Sequence, residues 1–151
     1  MRQAIIAGNW KMFKSSREAK QFAEEFKPLM EKVNHCEIVI CPPFTCLETL
    51  ARELAGSNIA LGAQNMHWEE QGAYTGEISP LMLRELGCKY AIIGHSERRE
   101  YFGETDEIIN RKLKTAQRVG LIPILCVGEK LEHRETGVTN KVIEAQLNGA
   151  L

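Results

Sequence analysis

A chain of 151 residues, 44% hydrophobic and 26% charged, has the make-up of an ordinary globular protein and the size of one domain, 1–151. Its net charge of -1 leaves no basic face to grip a phosphate backbone, which excludes nucleic acid as a partner. No apolar run approaches the roughly 20 residues of a membrane span, and Met1-Arg2-Gln3 does not open a signal peptide, which excludes a membrane role. The five cysteines (Cys36, Cys41, Cys46, Cys88 and Cys126) form no C-x-x-C pair. They read as free thiols in a reduced, cytoplasmic compartment, with Cys41 and Cys126 buried and no metal bound.

Taken in chain order, the first apolar run is Ala4–Gly8, a strand. Ser15 and Glu18 then make a capping box ahead of Ala19, Phe22, Ala23, Phe26 and Met30 on one helical face. Ile38–Cys41 is a second strand. Thr45 and Glu48 repeat the capping pattern for a helix closed by Gly56. Ile59–Gly62 is a third strand, and Ser79-Pro80 starts a helix that Gly87 ends. Tyr90–Gly94 is a fourth strand. Asp106 and Glu107 place negative charge at a helix start, and Gly120 closes that helix. Ile122–Val127 is the fifth strand, and a short helix over 140–147 follows.

The strand runs are continuous rather than alternating, as parallel strands covered on both faces require. Strand then helix, five times over, with starts about thirty residues apart, is the repeat of a parallel α/β fold. Eight such units would make a (β/α) barrel of roughly 250 residues, and this chain holds five.

No P-loop, G-x-G-x-x-G, G-x-S-x-G or H-E-x-x-H pattern occurs. Polar residues instead stand where strands end: Gly8-Asn9-Trp10-Lys11, Gln64-Asn65, His95-Ser96-Glu97 and Gly128-Glu129. Ligands of parallel α/β folds bind outside the carboxyl ends of the strands, so these residues should share one rim. Each also has a plain structural reading. Glu97 could pair with Lys11 or with Arg98 or Arg99, and Gln64 and Asn65 could hydrogen-bond the backbone of a long loop.

Six segments together resemble the N-terminal part of the triosephosphate isomerase family. They are Ala7-Gly8-Asn9-Trp10-Lys11-Met12, Cys41-Pro42-Pro43-Phe44-Thr45, Gly62-Ala63-Gln64-Asn65, Gly72-Ala73-Tyr74-Thr75-Gly76-Glu77-Ile78-Ser79, Ile93-Gly94-His95-Ser96-Glu97-Arg98-Arg99 and Leu125-Cys126-Val127-Gly128-Glu129. They stand in family order across essentially the whole chain. The resemblance implies a partial TIM (β/α) barrel, about five parallel strands each followed by a helix. It also implies interconversion of dihydroxyacetone phosphate and glyceraldehyde 3-phosphate, in glycolysis and gluconeogenesis, without a cofactor. Lys11 would face the substrate anion with Asn9 positioning it. His95 would donate to the substrate carbonyl from the start of a short helix near Ser96, whose dipole disfavours imidazolium. Glu97 would hydrogen-bond within the site. The connection from Gln64 to Ile78 resembles the family's interdigitating loop, in which Gln64, Asn65, Thr75, Gly76 and Glu77 would serve a homodimer.

The family's general base is a glutamate in a Tyr-Glu-Pro-x-Trp segment after strand six, and the chain contains no such segment. Its phosphate-holding loops follow still later strands. The expectation is a truncated isomerase chain that is inactive alone and binds phosphorylated three-carbon anions weakly. The alternatives are a non-catalytic self-associating fragment, or half of a split enzyme that needs a C-terminal partner chain. Five strands leave two edges, the first and fifth, so oligomerisation beyond a dimer is expected.

Overall fold

A computed structural model describes residues 3–151. Met1 and Arg2, where the sequence showed no signal segment, lie outside the described residues. In chain order the elements are β1 Ile5–Asn9, α1 Ser16–Met30, β2 Glu37–Cys41, α2 Phe44–Glu53, β3 Ile59–Ala63 and α3 Pro80–Glu85. They continue with β4 Cys88–Ile93, α4 Ser96–Tyr101, α5 Asp106–Arg118, β5 Ile122–Leu125, α6 Leu131–Glu135 and α7 Thr139–Ala150. The five strands form one sheet in the order β1-β2-β3-β4-β5, and every pair is parallel. This is the expected partial (β/α) barrel.

The helix starts show which sequence signals hold. Ser15 caps α1 in a full capping box: its side chain accepts from the Glu18 amide at 3.4 Å, and Glu18 accepts from the Ser15 amide at 2.8 Å. Ser79 caps α3 by accepting from the amides of Leu81 and Met82. The Thr45–Glu48 pattern fails. Pro43 occupies the cap of α2 without a side-chain hydrogen bond, and Thr45 already lies inside the helix. Proline fixes φ ahead of the helix and removes a donor, so the turn begins one position before the threonine. β5 stops at Leu125 rather than Val127, and α7 runs three residues beyond the expected 147. The short α6 had no periodic signal in the sequence.

The main core lies between the sheet and the helices. Ile38, Ile40, Leu61, Ala91 and Ile93 meet Ala19, Ala23, Leu47, Leu50, Leu83, Ile109 and Leu113 there. On α1, Phe22 stacks on Phe26 at 4.8 Å between ring centroids and receives Trp10 edge-on at 4.9 Å. A second, smaller cluster gathers Val39, Cys41, Tyr90 and Ile92, with Ala60, Ile124 and Cys126 packed on it. Gly62 belongs where this cluster is tightest: a Cβ there would stand 2.5 Å from Cys41 Sγ and 3.3 Å from Tyr90 Cβ. Burial pushes the Cys41 thiol up to about 12 and Cys88 to about 11. Both are therefore inert thiols at neutral pH. Cys126 is only half-buried, against the sequence expectation, because it sits beyond the last ladder pair of an edge strand.

Both edges are thinly covered. Ile5, Ile6 and Ile122 are exposed, Ile6 by 65%, whereas the last four residues of β2 are all buried. Pro123 sits within β5, which pairs on one side only. Proline in a sheet is tolerated at such an edge.

Beneath the rim lies a buried ion network. Lys112 Nζ donates to Glu104 Oε1 at 2.5 Å and to Asn65 Oδ1 at 2.8 Å, and Arg98 Nε donates to Glu104 at 2.6 Å. Burial pushes the Glu104 carboxyl up, but the hydrogen bonds from Lys112 and Arg98 outweigh it, and the group ends below the ordinary carboxylate range. Burial likewise pushes Lys112 down, against the pull of Glu104. A carboxylate whose folded pKa is depressed adds stability above its unfolded value, and that stability is lost as pH falls through the folded pKa. Glu104→Gln leaves Lys112 and Arg98 facing each other without the carboxylate they share, so it should cost about 3–5 kcal/mol at neutral pH. Urea melts from neutral to acid pH check this: the variant's deficit should shrink as the parent's carboxyl protonates.

Candidate active site at the strand ends

The parallel order brings the carboxyl ends of all five strands to one rim, and a chain of direct hydrogen bonds joins the polar residues there. Asn9 ends β1, and its Oδ1 accepts from the Lys11 amide at 2.9 Å. That bond tightens a turn in which Lys11 takes a left-handed φ of 53°, uncommon for a side chain other than glycine, asparagine or aspartate. Gln64, just past β3, donates from Nε2 to the Lys11 and Cys41 carbonyls, both at 2.9 Å. The Lys11 backbone is thus held from both sides.

Its ammonium then reaches α4, where Nζ meets Glu97 Oε1 at 2.7 Å. The hydrogen bond from Lys11 holds the Glu97 carboxyl below the usual carboxylate range, with the charge of Lys11 adding to it. His95 occupies the cap of α4, and its Nδ1 accepts from the Glu97 amide at 3.2 Å. A ring nitrogen that accepts carries no proton, so the neutral imidazole bears its hydrogen on Nε2, free to donate outward. Asn9, Lys11, Gln64, His95 and Glu97 therefore form one connected set. Of the pairings open to Glu97 in the sequence, the one with Lys11 is formed.

Asn65 stands apart from this set. It is buried and accepts from Lys112 in the network under the rim. Thr75, Gly76 and Glu77 lie exposed at the tip of the long loop, where Gly76 takes φ 89° and the Glu77 amide closes a turn onto the Tyr74 carbonyl. Glu77 Oε2 lies 3.6 Å from Nδ1 of the buried His67, which is flanked by the rings of Trp68 and Tyr74.

Between the ends of β4 and β5 is a cavity of about 440 Å³ lined by His95, Arg99, Cys126, Glu129, His133 and Gln146, among others. Arg99 and Gln146 organise its walls; the sequence offered Arg99 only as a possible partner of Glu97 and did not single out Gln146. Gln146 accepts from the Gly128 amide at 2.9 Å and donates to the Gly128 carbonyl at 3.0 Å. Glu129 is fixed by Arg134 at 2.7 Å; hydrogen bonding from its own backbone amide and from Arg134 lowers its carboxyl pKa. Lys112 did carry a readable signal, because it falls on the apolar stripe of α5 beside Ile109, Leu113 and Ala116. A lysine in that place must find a buried partner.

Lys11→Met tests the electrostatic link across the rim. The Glu97 carboxyl should lose its main stabilising donor and titrate at higher pH than in the parent, by carboxyl-carbon NMR. An unchanged Glu97 titration would contradict the link. The change in folding stability should stay small, since an exposed pair of this kind contributes about 0–1 kcal/mol.

The family model for triosephosphate isomerase matches residues 4–151. The chain is 59% identical to the triosephosphate isomerase of Clostridium botulinum (strain Loch Maree / Type A3), over 97% of its own length and 59% of the relative's. It is 56% identical to that of Synechococcus sp. (strain JA-3-3Ab), over 100% of its length and 61% of the relative's. The crystal structure of triosephosphate isomerase from Bartonella henselae superposes with a TM-score of 0.93 at 41% identity, covering 99% of this chain and 62% of that one. The chain thus spans about 60% of the length of the curated relatives it matches. With motifs, strand order and rim all in agreement, the chain belongs to the triosephosphate isomerase family.

Proposed function

We propose that residues 1–151 act as one cytoplasmic domain supplying the electrophile and positive-charge half of a triosephosphate isomerase site. In this reading His95 donates from Nε2 to the carbonyl oxygen of a phosphorylated triose and to the enediolate that follows proton abstraction. Lys11 faces the substrate anion, Asn9 and Gln64 fix its turn, and Glu97 holds its ammonium until substrate arrives. No cofactor takes part in this reading. The observation that carries it is the Glu97 amide donating to His95 Nδ1 beside a tethered ammonium, because a neutral N–H donor on Nε2 and a fixed cation are what a developing oxyanion needs.

The same geometry argues against activity of the 151-residue polypeptide by itself. A general base works best with a pKa near the operating pH. The rim carboxylates Glu97 and Glu129 are each paired to a cation and pushed the other way, which makes them poor bases. A positioned base supplies about 10²- to 10⁴-fold, and the purified polypeptide should fall far below an ordinary turnover of about 10 s⁻¹. Turnover at that level, in a preparation free of host isomerase, would contradict the reading. With one ammonium and few donors, a phosphorylated enediolate mimic should bind with Kd of about 1 mM or weaker, roughly -4 kcal/mol, by calorimetric titration.

The thin cover on β1 and β5 favours a second property, association of the polypeptide. Met12, Phe13, Tyr101 and Phe102 are also exposed, and the loop tip at Thr75 projects with a half-exposed Tyr74. Apolar surface of this extent favours association. The loop fits a homodimer contact, and the open strand edges fit a second contact, either with another copy or with a separate chain that supplies the strands of a split enzyme. Light scattering at low micromolar concentration should give a dimer or larger; a stable 17.0 kDa monomer would overturn this.

A further inference from the structure

We infer that Arg99 is a positioning residue for His95, acting from one turn further along α4; this rests on the functional reading given above. Its guanidinium makes three attachments to three different elements. Nε donates to the Gly94 carbonyl at 2.9 Å, at the end of β4 and directly before His95. Nη2 donates to the Cys126 carbonyl at 3.3 Å, past the end of β5. Nη1 meets Asp106 Oδ1 at 2.5 Å, at the first turn of α5. The side chain is largely buried, at 17% exposure, so these bonds are formed away from bulk water.

Position 94 explains why the first attachment matters. Gly94 takes φ 75°, and a Cβ there would stand 2.9 Å from Ile109 Cδ1 and 3.3 Å from both Arg99 Nη2 and the Cys126 carbonyl. The chain leaves β4 through this left-handed turn and enters α4 at His95. The ring can accept from the Glu97 amide only while His95 stays at the cap. Arg99 fixes the carbonyl of that turn and ties the ends of β4 and β5 together around it. A planar fork with several donors suits the task, and a lysine ammonium cannot span the same three acceptors. Arg99 lines the cavity beside His95 without being the group that faces substrate in the functional reading.

The test uses the 151-residue polypeptide and Arg99→Lys, which keeps the charge and loses the fork. Under conditions where both proteins are folded by urea melt, exchange of the Glu97 amide should speed up about tenfold or more, the scale of one lost charge-assisted hydrogen bond. The amides of Ala91 and Leu113, in the core of β4 and α5, should be unchanged. His95 ring ¹⁵N shifts should move as its Nδ1 acceptor bond weakens, a signature that a merely structural role would leave in place. If Arg99→Lys does not fold, Asp106→Asn removes one anchor while keeping the guanidinium, and should produce a smaller change of the same kind. A folded Arg99→Lys with the parent's Glu97 exchange and His95 shifts would overturn the inference. A separate arm adds 2-phosphoglycolate, a phosphorylated mimic of an enediolate. If it fails to shift His95 in the parent even at about 10 mM, above the Kd of about 1 mM expected, the functional reading falls, while the exchange arm still decides the role of Arg99.

Discussion

Parallel pairing permits no tight hairpin, so each strand of this sheet needs a long crossing segment before the next can begin. The rest of the structure follows from that constraint. Every strand runs the same way, and Asn9, Cys41, Ala63, Ile93 and Leu125 all end at one rim. Loops that are distant in sequence are thereby stacked side by side, and Lys11 meets a carboxylate 86 positions away. The sheet can curl around its smaller cluster only because Gly62 leaves room for the Cys41 sulfur.

Two kinds of ion pair serve this architecture differently. Lys112 and Glu104 are buried and Arg98 partly so, and the desolvation of the buried pair is tolerable because each charge has a partner and Asn65 takes a further ammonium hydrogen. That network joins α5, α4 and the long loop into one support beneath the rim. Lys11 and Glu97 are instead about half exposed. Their attraction is screened, so exchanging the carboxylate for another anion costs little. The buried set confers rigidity, and the exposed pair keeps a cation in place without committing it.

Much of the fold was legible because the signals were local and physically strong. Continuous apolar runs gave all five strands, and the Ser15–Glu18 and Ser79-Pro80 caps start helices where they should. Thr45 misled because a proline two residues earlier sets the backbone first. Cys126 misled because burial depends on whether a strand has neighbours on both sides, which a run of apolar letters does not encode. The rim residues were legible as strand-end residues, and the pairing of Lys11 with Glu97 was one of the options visible in the sequence. The main-chain attachments of Arg99 and Gln146 were not legible, because backbone partners on other elements leave no trace in residue type. Lys112 lay between these cases, a charge on an apolar stripe that announces a buried partner without naming it.

The sheet is unevenly supported, and the unevenness falls on the site. β2, β3 and β4 have neighbours on both sides, whereas β1 and β5 each have one. Local opening is cheapest where backbone hydrogen bonds are exposed and apolar contacts few, so β1 and β5 should open before the centre does. β1 carries Asn9 and leads directly into Lys11, while β5 leads directly into Cys126, whose carbonyl Arg99 grips. Opening β1 therefore releases the ammonium from its turn, and opening β5 removes one of the three attachments around His95. Gln64, the Glu97 pairing and the Trp10 amide, which donates to the Cys41 carbonyl at 2.9 Å, oppose the first of these. Any surface that covers the two edges adds hydrogen bonds and apolar contacts at the places the rim depends on. Covering the edges and ordering the rim are therefore coupled in this fold.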